Sequence, residues 1–314
     1  MKIRKPKFWD IKKPNLLSRF LLIFTIPIMI NNFFLNLKSK EKSKKIKTIC
    51  IGNIYLGGTG KTPTTIKLYQ VLSKLKLKIS TAKKFYQSQL DEEIILKEKT
   101  NFLTAKNRAE IINKAIQNDI DLVIFDDGLQ DKSINYDIQF VCFDSKNWLG
   151  NGLLLPSGPL REKLKSIKKY DGIFLKNDGS TTADIIQSIK KHNSNIPIFD
   201  TKYKILNLKD FKMQEKYLIF SGIGNPYDFK NILLKNNFNI VKEKIFPDHY
   251  YYTKKDILYL KELAKKLNLT ILTTKKDYVK LPEEFKKEVY FIEIELEINN
   301  EERLINLIKS KLYA

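Results

Sequence analysis

The run Lys47–Ile54 (KTICIGNI) is almost wholly apolar and opens directly onto a glycine-rich stretch. A short apolar run bounded by turn residues predicts a buried strand. From Thr62 onward the apolar positions Ile66, Leu68, Tyr69, Leu72 and Leu75 recur at helical spacing, which predicts a helix over 62–77. Further strands are predicted at 78–85 (KISTAKKF), 121–128 (DLVIFDDG), 136–144 (YDIQFVCFD) and 171–178 (DGIFLKND), with a helix at 109–119. Strands alternating with helices predict an α/β fold with a doubly wound, mainly parallel sheet. Past 205 the alternation begins again. It gives a strand and glycine turn at 216–226, a helix at 227–236, a strand-like 238–246, a helix at 254–266, and strands at 269–274 and 289–296. The expected organisation is a core domain at 41–204 and a second, smaller α/β domain at 205–314.

Residues 1–40 break the pattern. Lys2, Arg4, Lys5, Lys7, Lys12, Lys13 and Arg19 precede the apolar run FLLIFTIPIMI at 20–30, which NNFFLNL follows. Pro27 and Asn31-Asn32 interrupt the run, and it is too short to span a bilayer comfortably. A helix packed on the domain core is one reading. A hydrophobic, membrane-associated helix in the interface is the other, with a basic collar drawn to anionic lipid and Phe8, Trp9, Phe33 and Phe34 at the headgroup boundary.

Composition narrows this picture in two ways. Lys and Arg number 57 against 35 Asp and Glu, a net charge of +22 that implies an anionic partner: nucleic acid, anionic lipid or a phosphorylated substrate. No zinc-finger, helix-turn-helix or RNA-binding aromatic signature accompanies the charge, so no nucleic acid is expected. The two cysteines, Cys50 and Cys142, lie inside strand-like runs without metal-ligand spacing and are expected to be buried apolar groups.

The chemistry concentrates in five stretches. Gly52–Pro63 (GNIYLGGTGKTP) joins a strand to a helix, the context of a phosphate-binding P-loop. The general spacing asks for glycine at position 55, where Tyr55 stands. Gly57, Gly58, Thr59 and Gly60 can turn backbone amides onto phosphate oxygens, Lys61 can reach the β- and γ-phosphates of ATP, and Thr62 can hold Mg²⁺. Asp126-Asp127-Gly128-Leu129-Gln130 ends a buried strand, where an acid completes a Mg²⁺ shell. GNGLLLPSGPLRE (150–162) is a constrained loop whose Arg161 can clamp a phosphate. FPDHYYYT (246–253) carries His249, and a lone histidine is more often a structural group. QLDEEIIL (89–96) opens a helix with Asp91, Glu92 and Glu93, a pattern that helix-end electrostatics alone explains.

Taken together these stretches resemble the tetraacyldisaccharide 4′-kinases. The family loop G-N-x-x-x-G-G-x-G-K-T-P matches 52–63 at every fixed position, so Tyr55 falls on a variable one. DDGLQ, LLPSGPLRE, Leu90–Glu93, Phe246–His249 and Thr274–Leu281 match further family stretches in order, as does Lys5–Trp9. The resemblance implies a P-loop-type fold with an N-terminal membrane-associated segment at the cytoplasmic face of the inner membrane, peripheral or N-terminally anchored. It implies transfer of the γ-phosphate of ATP, with Mg²⁺, to the 4′-hydroxyl of a tetraacyl glucosamine disaccharide 1-phosphate, a lipid A precursor. It further implies that Asp91 and His249 orient and deprotonate the acceptor hydroxyl, that Lys61 and Thr62 serve ATP–Mg²⁺, and that Asp126 or Asp127 serves the metal. Gln130, Arg161 and Glu162 are placed near the acceptor. Three departures stand out: Asp131 replaces a histidine after DDGLQ, Lys83-Lys84-Phe85-Tyr86-Gln87 replaces Ser-Arg-Gly-Tyr-Gly, and Leu90 and Glu93 replace a glycine and a proline around the acidic pair.

Overall fold

The computed structural model describes residues 6–27, 29–30, 46–131, 133–177, 179, 181–212 and 214–313. Phe33, Phe34, Lys5 and the rest of 31–40 lie outside the described residues.

The strands are β1 (Lys47–Gly52), β2 (Ile79–Lys84), β3 (Phe102–Ala105), β4 (Leu122–Asp126), β5 (Ile138–Asp144), β6 (Gly172–Lys176), β7 (Ile198–Ile205), β8 (Lys216–Ser221), β9 (Asn239–Ile245), β10 (Thr270–Thr274), β11 (Val289–Ile292) and β12 (Ile294–Ile298). Eight form one sheet in the order β12-β7-β6-β5-β1-β4-β2-β3, and four form a second in the order β11-β10-β8-β9. From β3 across to β7 every ladder is parallel, as are those of the small sheet. The fold is therefore α/β with mainly parallel sheets. Sequential strands fill one side of β1 and later strands the other, so the chain reverses direction across the sheet beside β1. In open parallel sheets ligands bind at the carboxyl ends of the strands at such a point.

By compactness the chain forms two units. The larger comprises Lys5–Phe85, Leu96–Lys202 and Glu297–Ala314; the smaller contains Tyr86–Ile95 and Tyr203–Leu296. The continuous expectation of strand over 289–296 is resolved into β11 and β12, which belong to different sheets. The last helix, Glu301–Leu312, joins the larger unit because Leu304, Ile308 and Leu312 are buried and Glu301 pairs with Lys67 at 2.9 Å. Tyr86–Ile95 leaves the larger unit directly after β2 and carries Asp91 into the smaller one.

Strand periodicity explains the small unit's two cores. On β8, Tyr217 and Ile219 pack with Phe229 and Leu233, while Leu218 and Phe220 pack with Ile257 and Leu260 on the opposite face. In the large unit β1, β4 and β5 are buried almost throughout, as strands covered on both faces must be. Cys50 and Cys142 are both buried free thiols, and burial pushes Cys142 up to about 12.

The N-terminal segment has a docked side and an open side. Trp9 is buried and its Nε1–H donates to the Pro156 carbonyl at 3.0 Å. Ser18 is also buried, and its hydroxyl accepts from the Asn151 amide at 3.2 Å. The helix Leu16–Phe20 and the 3-10 turn Leu21–Phe24 leave Leu16, Phe20, Ile23 and Phe24 exposed. Among the described residues no helix is long and apolar enough to cross a membrane.

Candidate active site

In the large unit, β1 runs straight into the glycine loop. Asn53 is fully buried and pins that loop from below, its amide donating to the Gly57 carbonyl at 3.2 Å and the Thr59 hydroxyl at 2.9 Å. Gly57 and Gly60 adopt φ of +147° and +83°, a region that side chains resist. Gly60 caps the helix Lys61–Leu72, and no side chain caps that N-terminus. The first-turn amides and the positive end of the helix thus face the loop, the arrangement that binds phosphate.

Tyr55, the residue at the general glycine position, is a strut. It is 1% exposed, packs with Leu154 and Leu160, and donates its hydroxyl to Asp10 Oδ1 at 2.5 Å. An isolated antiparallel bridge joins it to Leu160, and the flanking Leu56 and Arg161 amides bond Pro159 and Ile54 carbonyls at 2.8 and 2.7 Å. The extra residues of this loop thereby fasten it to the GNGLLLPSGPLRE segment. Gly52 is required by close approach, because a Cβ there would lie 2.6 Å from Leu129 Cγ of the DDGLQ segment.

The two neighbouring acids do different things. Asp126, at the end of β4, accepts from the Thr62 hydroxyl at 2.9 Å. A hydroxyl and a carboxylate so placed are the hard oxygen pair that Mg²⁺ uses beside phosphate, and they fit that ion. Among the described residues no cluster of His, Cys, Asp or Glu forms a protein-only metal cage. Mg²⁺ bound through one carboxylate plus substrate phosphates needs none. Asp127 turns away at φ +54°, lies 3.8 Å from Lys61 Nζ and accepts from Arg161 at 3.1 Å. Of the two acids expected to serve the metal, Asp126 stands with Thr62, and Asp127 stands with Lys61 and Arg161.

Gln130, Arg161 and Glu162 form a network. Arg161 donates to Gln130 Oε1 at 2.8 Å, and the Gln130 amide donates to the Asn53 carbonyl at 2.8 Å and Glu162 at 3.2 Å. Tyr170 donates to Glu162 at 3.0 Å, and burial together with that carboxylate raises the phenol's pKa. Asp131, which replaces a histidine, adds no bare negative charge. It pairs with the buried Arg108, which also bonds the Asp127 carbonyl at 2.8 Å. Burial alone would raise Asp131's carboxyl, but Ser133 and Arg108 outweigh it and hold it below the ordinary value.

The small unit holds the second group. Asp91 and His249 are 158 positions apart and meet at 2.8 Å, Asp91 Oδ1 to His249 Nδ1, with Oδ2 at 3.0 Å. The Asp91 side chain is 2% exposed and that of His249 17%. Burial opposes ionisation of Asp91, but the hydrogen bond from His249 and the charges of Lys276 and Lys280 hold its carboxyl below the usual range. An ionised carboxylate only accepts, so Nδ1 carries the proton and a neutral ring presents its lone pair at Nε2. Lys276 Nζ lies 3.5 Å from Nε2 and 2.9 Å from Glu92. Burial would lower Lys276's pKa, but Glu92, Asp248 and Asp91 raise it. Lys280 is bound to fully buried Asp277 at 2.7 Å and stands 3.8 Å from Asp91. His249 sits at φ +54°, a sparsely occupied conformation for histidine, with its amide bonded to the Gly222 carbonyl at 3.0 Å. Such backbone persists where the surroundings over-determine it.

The expected loop, metal and network residues are thus brought together in the large unit, and Asp91 with His249 in the small one. The sequence reading gave no role to Asn53, Lys83, Arg108, Tyr170, Lys276, Asp277 or Lys280. Lys276, Asp277 and Lys280 lay inside the Thr274–Leu281 stretch, which was a usable signal. Lys83, though noted within a departing stretch, and Arg108 carried no sign of their partners, which are remote in sequence.

Strand, glycine loop, helix and strand-end acid define a P-loop nucleotide-binding protein. The family model "Tetraacyldisaccharide-1-P 4'-kinase" matches residues 15–313. The tetraacyldisaccharide 4'-kinase of Pelagibacter ubique is 45% identical over 312 residues, covering 98% of each chain. That of Rickettsia felis is 32% identical over 338 residues, covering 99% of this chain and 98% of the relative. The crystal structure of LpxK from Aquifex aeolicus in complex with ATP superposes with a TM-score of 0.70 at 22% identity, covering 94% of this chain and 99% of that one. The chain belongs to the tetraacyldisaccharide 4′-kinase family.

Proposed function

We propose that this protein transfers the γ-phosphate of ATP to the 4′-hydroxyl of a tetraacyl glucosamine disaccharide 1-phosphate, giving the 4′-phosphorylated lipid A precursor. The observation that carries this reading is the Asp91–His249 contact, a carboxylate-oriented imidazole that a nucleotide switch would not need. The close relatives bear the same enzymatic name.

Phosphoryl transfer proceeds through a loose transition state with charge spread over the transferring oxygens, so alignment and charge neutralisation dominate. The amides of Gly57, Gly58, Thr59 and Gly60 hold the triphosphate, and Lys61 places its charge on the β- and γ-oxygens. Thr62 and Asp126 would hold Mg²⁺, which when bound neutralises charge on the phosphates. Arg161 and Gln130, tied to Asp127 and Glu162, are expected to fix the acceptor's orientation. The proton of the 4′-hydroxyl passes to His249 Nε2, since both Asp91 oxygens already face Nδ1–H and the lowered pKa of Asp91 makes it a weak base. Asp91 keeps the ring in that tautomer and stabilises the imidazolium. The bond from the γ-phosphorus to the β-phosphate oxygen breaks as the bond to the 4′-oxygen forms, and ADP leaves.

The acceptor is a lipid, and the N-terminal segment is suited to meeting it. Leu16, Phe20, Ile23 and Phe24 are exposed beside Lys7, Lys12, Lys13 and Arg19, an apolar and basic combination that anionic membrane surfaces attract. A peripheral seat on the cytoplasmic face of the inner membrane follows from this reading. Purified protein with Mg²⁺·ATP and detergent-dispersed disaccharide 1-phosphate is expected to add one phosphate to the lipid, read by mass spectrometry. ATP turnover without labelled lipid would refute the reading and favour a membrane-surface ATPase.

A further inference from the structure

Lys83 is the penultimate residue of β2, the strand beside β4, and its side chain is only 1% exposed. Its ammonium donates to Asp126 Oδ2 at 3.0 Å, and the Asp126 side chain is fully buried. The Thr62 hydroxyl donates to that same oxygen at 2.9 Å. The Lys83 ammonium therefore rests on the carboxylate that a divalent metal would use. Asp126's second oxygen has only the Thr65 hydroxyl near it, at 3.4 Å, among the bonds described.

Two physical effects follow from this placement. With no metal present, Lys83 neutralises a carboxylate that would otherwise be buried as a bare charge. With a metal arriving, like charges are brought within a few ångströms of one another in surroundings that screen them poorly. The nucleotide's triphosphate supplies the anionic charge that offsets this repulsion. Accepting that the loop binds Mg²⁺·ATP, we propose that Lys83 is a resident counter-cation of the metal site that makes divalent-cation capture conditional on the nucleotide. Metal alone meets a site already neutralised, whereas metal carried on the phosphates meets one with charge to spare. Lys83 is then a positioning residue for the metal, distinct in role from Lys61 on the glycine loop.

The test is Mn²⁺ binding to the full chain, followed by electron paramagnetic resonance, with and without a non-hydrolysable ATP analogue. Wild type without nucleotide is expected to bind Mn²⁺ weakly. Lys83→Ser is expected to bind it about tenfold or more tightly, the scale of removing one nearby like charge. Lys83→Arg, which keeps the charge, is expected to stay as weak as wild type. With the analogue present all three are expected to bind Mn²⁺ tightly. Equal nucleotide-free affinity in wild type and Lys83→Ser overturns the proposal. If Lys83→Ser does not fold, the melting temperature of wild type decides: Mg²⁺ alone is expected to leave it unchanged and Mg²⁺ with the analogue to raise it, and a rise with Mg²⁺ alone overturns the proposal. Failure of every protein to bind Mn²⁺ with the analogue would instead refute the nucleotide-site reading on which the proposal rests.

Discussion

The two chemical groups of this molecule are built in opposite ways. The nucleotide loop of the large unit is one contiguous stretch, made mostly of backbone amides, glycine conformations and a helix end. The Asp91–His249 pair of the small unit is made of side chains from segments 158 positions apart, held by a ring of lysines and carboxylates. A backbone site depends on local conformation and tolerates variation in side chains that do not shape it. A side-chain pair depends on packing and charge balance throughout its unit.

The strongest way to break this comparison is to disable one group and measure the other. His249→Ala and Asp91→Ala are each expected to lower turnover about 10²–10⁴-fold, the range for lost acid–base assistance. Nucleotide affinity, measured by fluorescent-analogue titration, is expected to stay near wild type. A parallel collapse of nucleotide binding would erase the proposed division of labour.

A charge change in each unit sharpens the comparison next. Lys276→Met removes a cation that depresses Asp91, and is expected to cost about 1–2 kcal/mol at pH 7, less than a fully buried pair because Lys276 is 22% exposed. A carboxylate with a lowered folded-state pKa contributes stability that is present above its unfolded value, about 3.9, and lost as pH falls through the folded value. The gap between wild type and variant should therefore persist at pH 7 and 5 and shrink as the pH falls below about 3.9, the unfolded value, as read by urea unfolding. In the large unit, Asp131→Ala leaves Arg108 buried without that partner. About 1 kcal/mol is expected, discounted for the 26% exposure of Asp131, again by urea midpoint. The smallest effect belongs to Tyr55→Phe, which deletes the bond to Asp10. It should cost about 0.5 kcal/mol and lower the melting temperature by a degree or two, with turnover unchanged.

Legibility in the sequence follows the same division. The apolar runs at 47–54, 121–128 and 136–144 were readable as strands because buried parallel strands need no partner information to look apolar. The glycine loop was readable because its conformational demands fall on consecutive residues. Strand β3 was not, since only Ala105 of its four residues is buried. The helix Glu301–Leu312 was not read either, although Leu304, Ile308 and Leu312 now mark its buried face. Asp91 and His249 looked ordinary in isolation, as a helix-opening acid and a lone histidine, and only the ordered resemblance joined them. Lys83 and Arg108 show the limit: each carries a charge whose meaning lies wholly in a distant carboxylate.

The excursion Tyr86–Ile95 has a consequence for how this enzyme can be taken apart. Cutting the chain near residue 203 to isolate the small unit would sever His249 from Asp91, since Asp91 travels with the other fragment. Neither half of such a split gene would encode the pair. Co-expressed halves could regain it only by reassembling, which makes recovery of turnover a direct readout of fragment complementation.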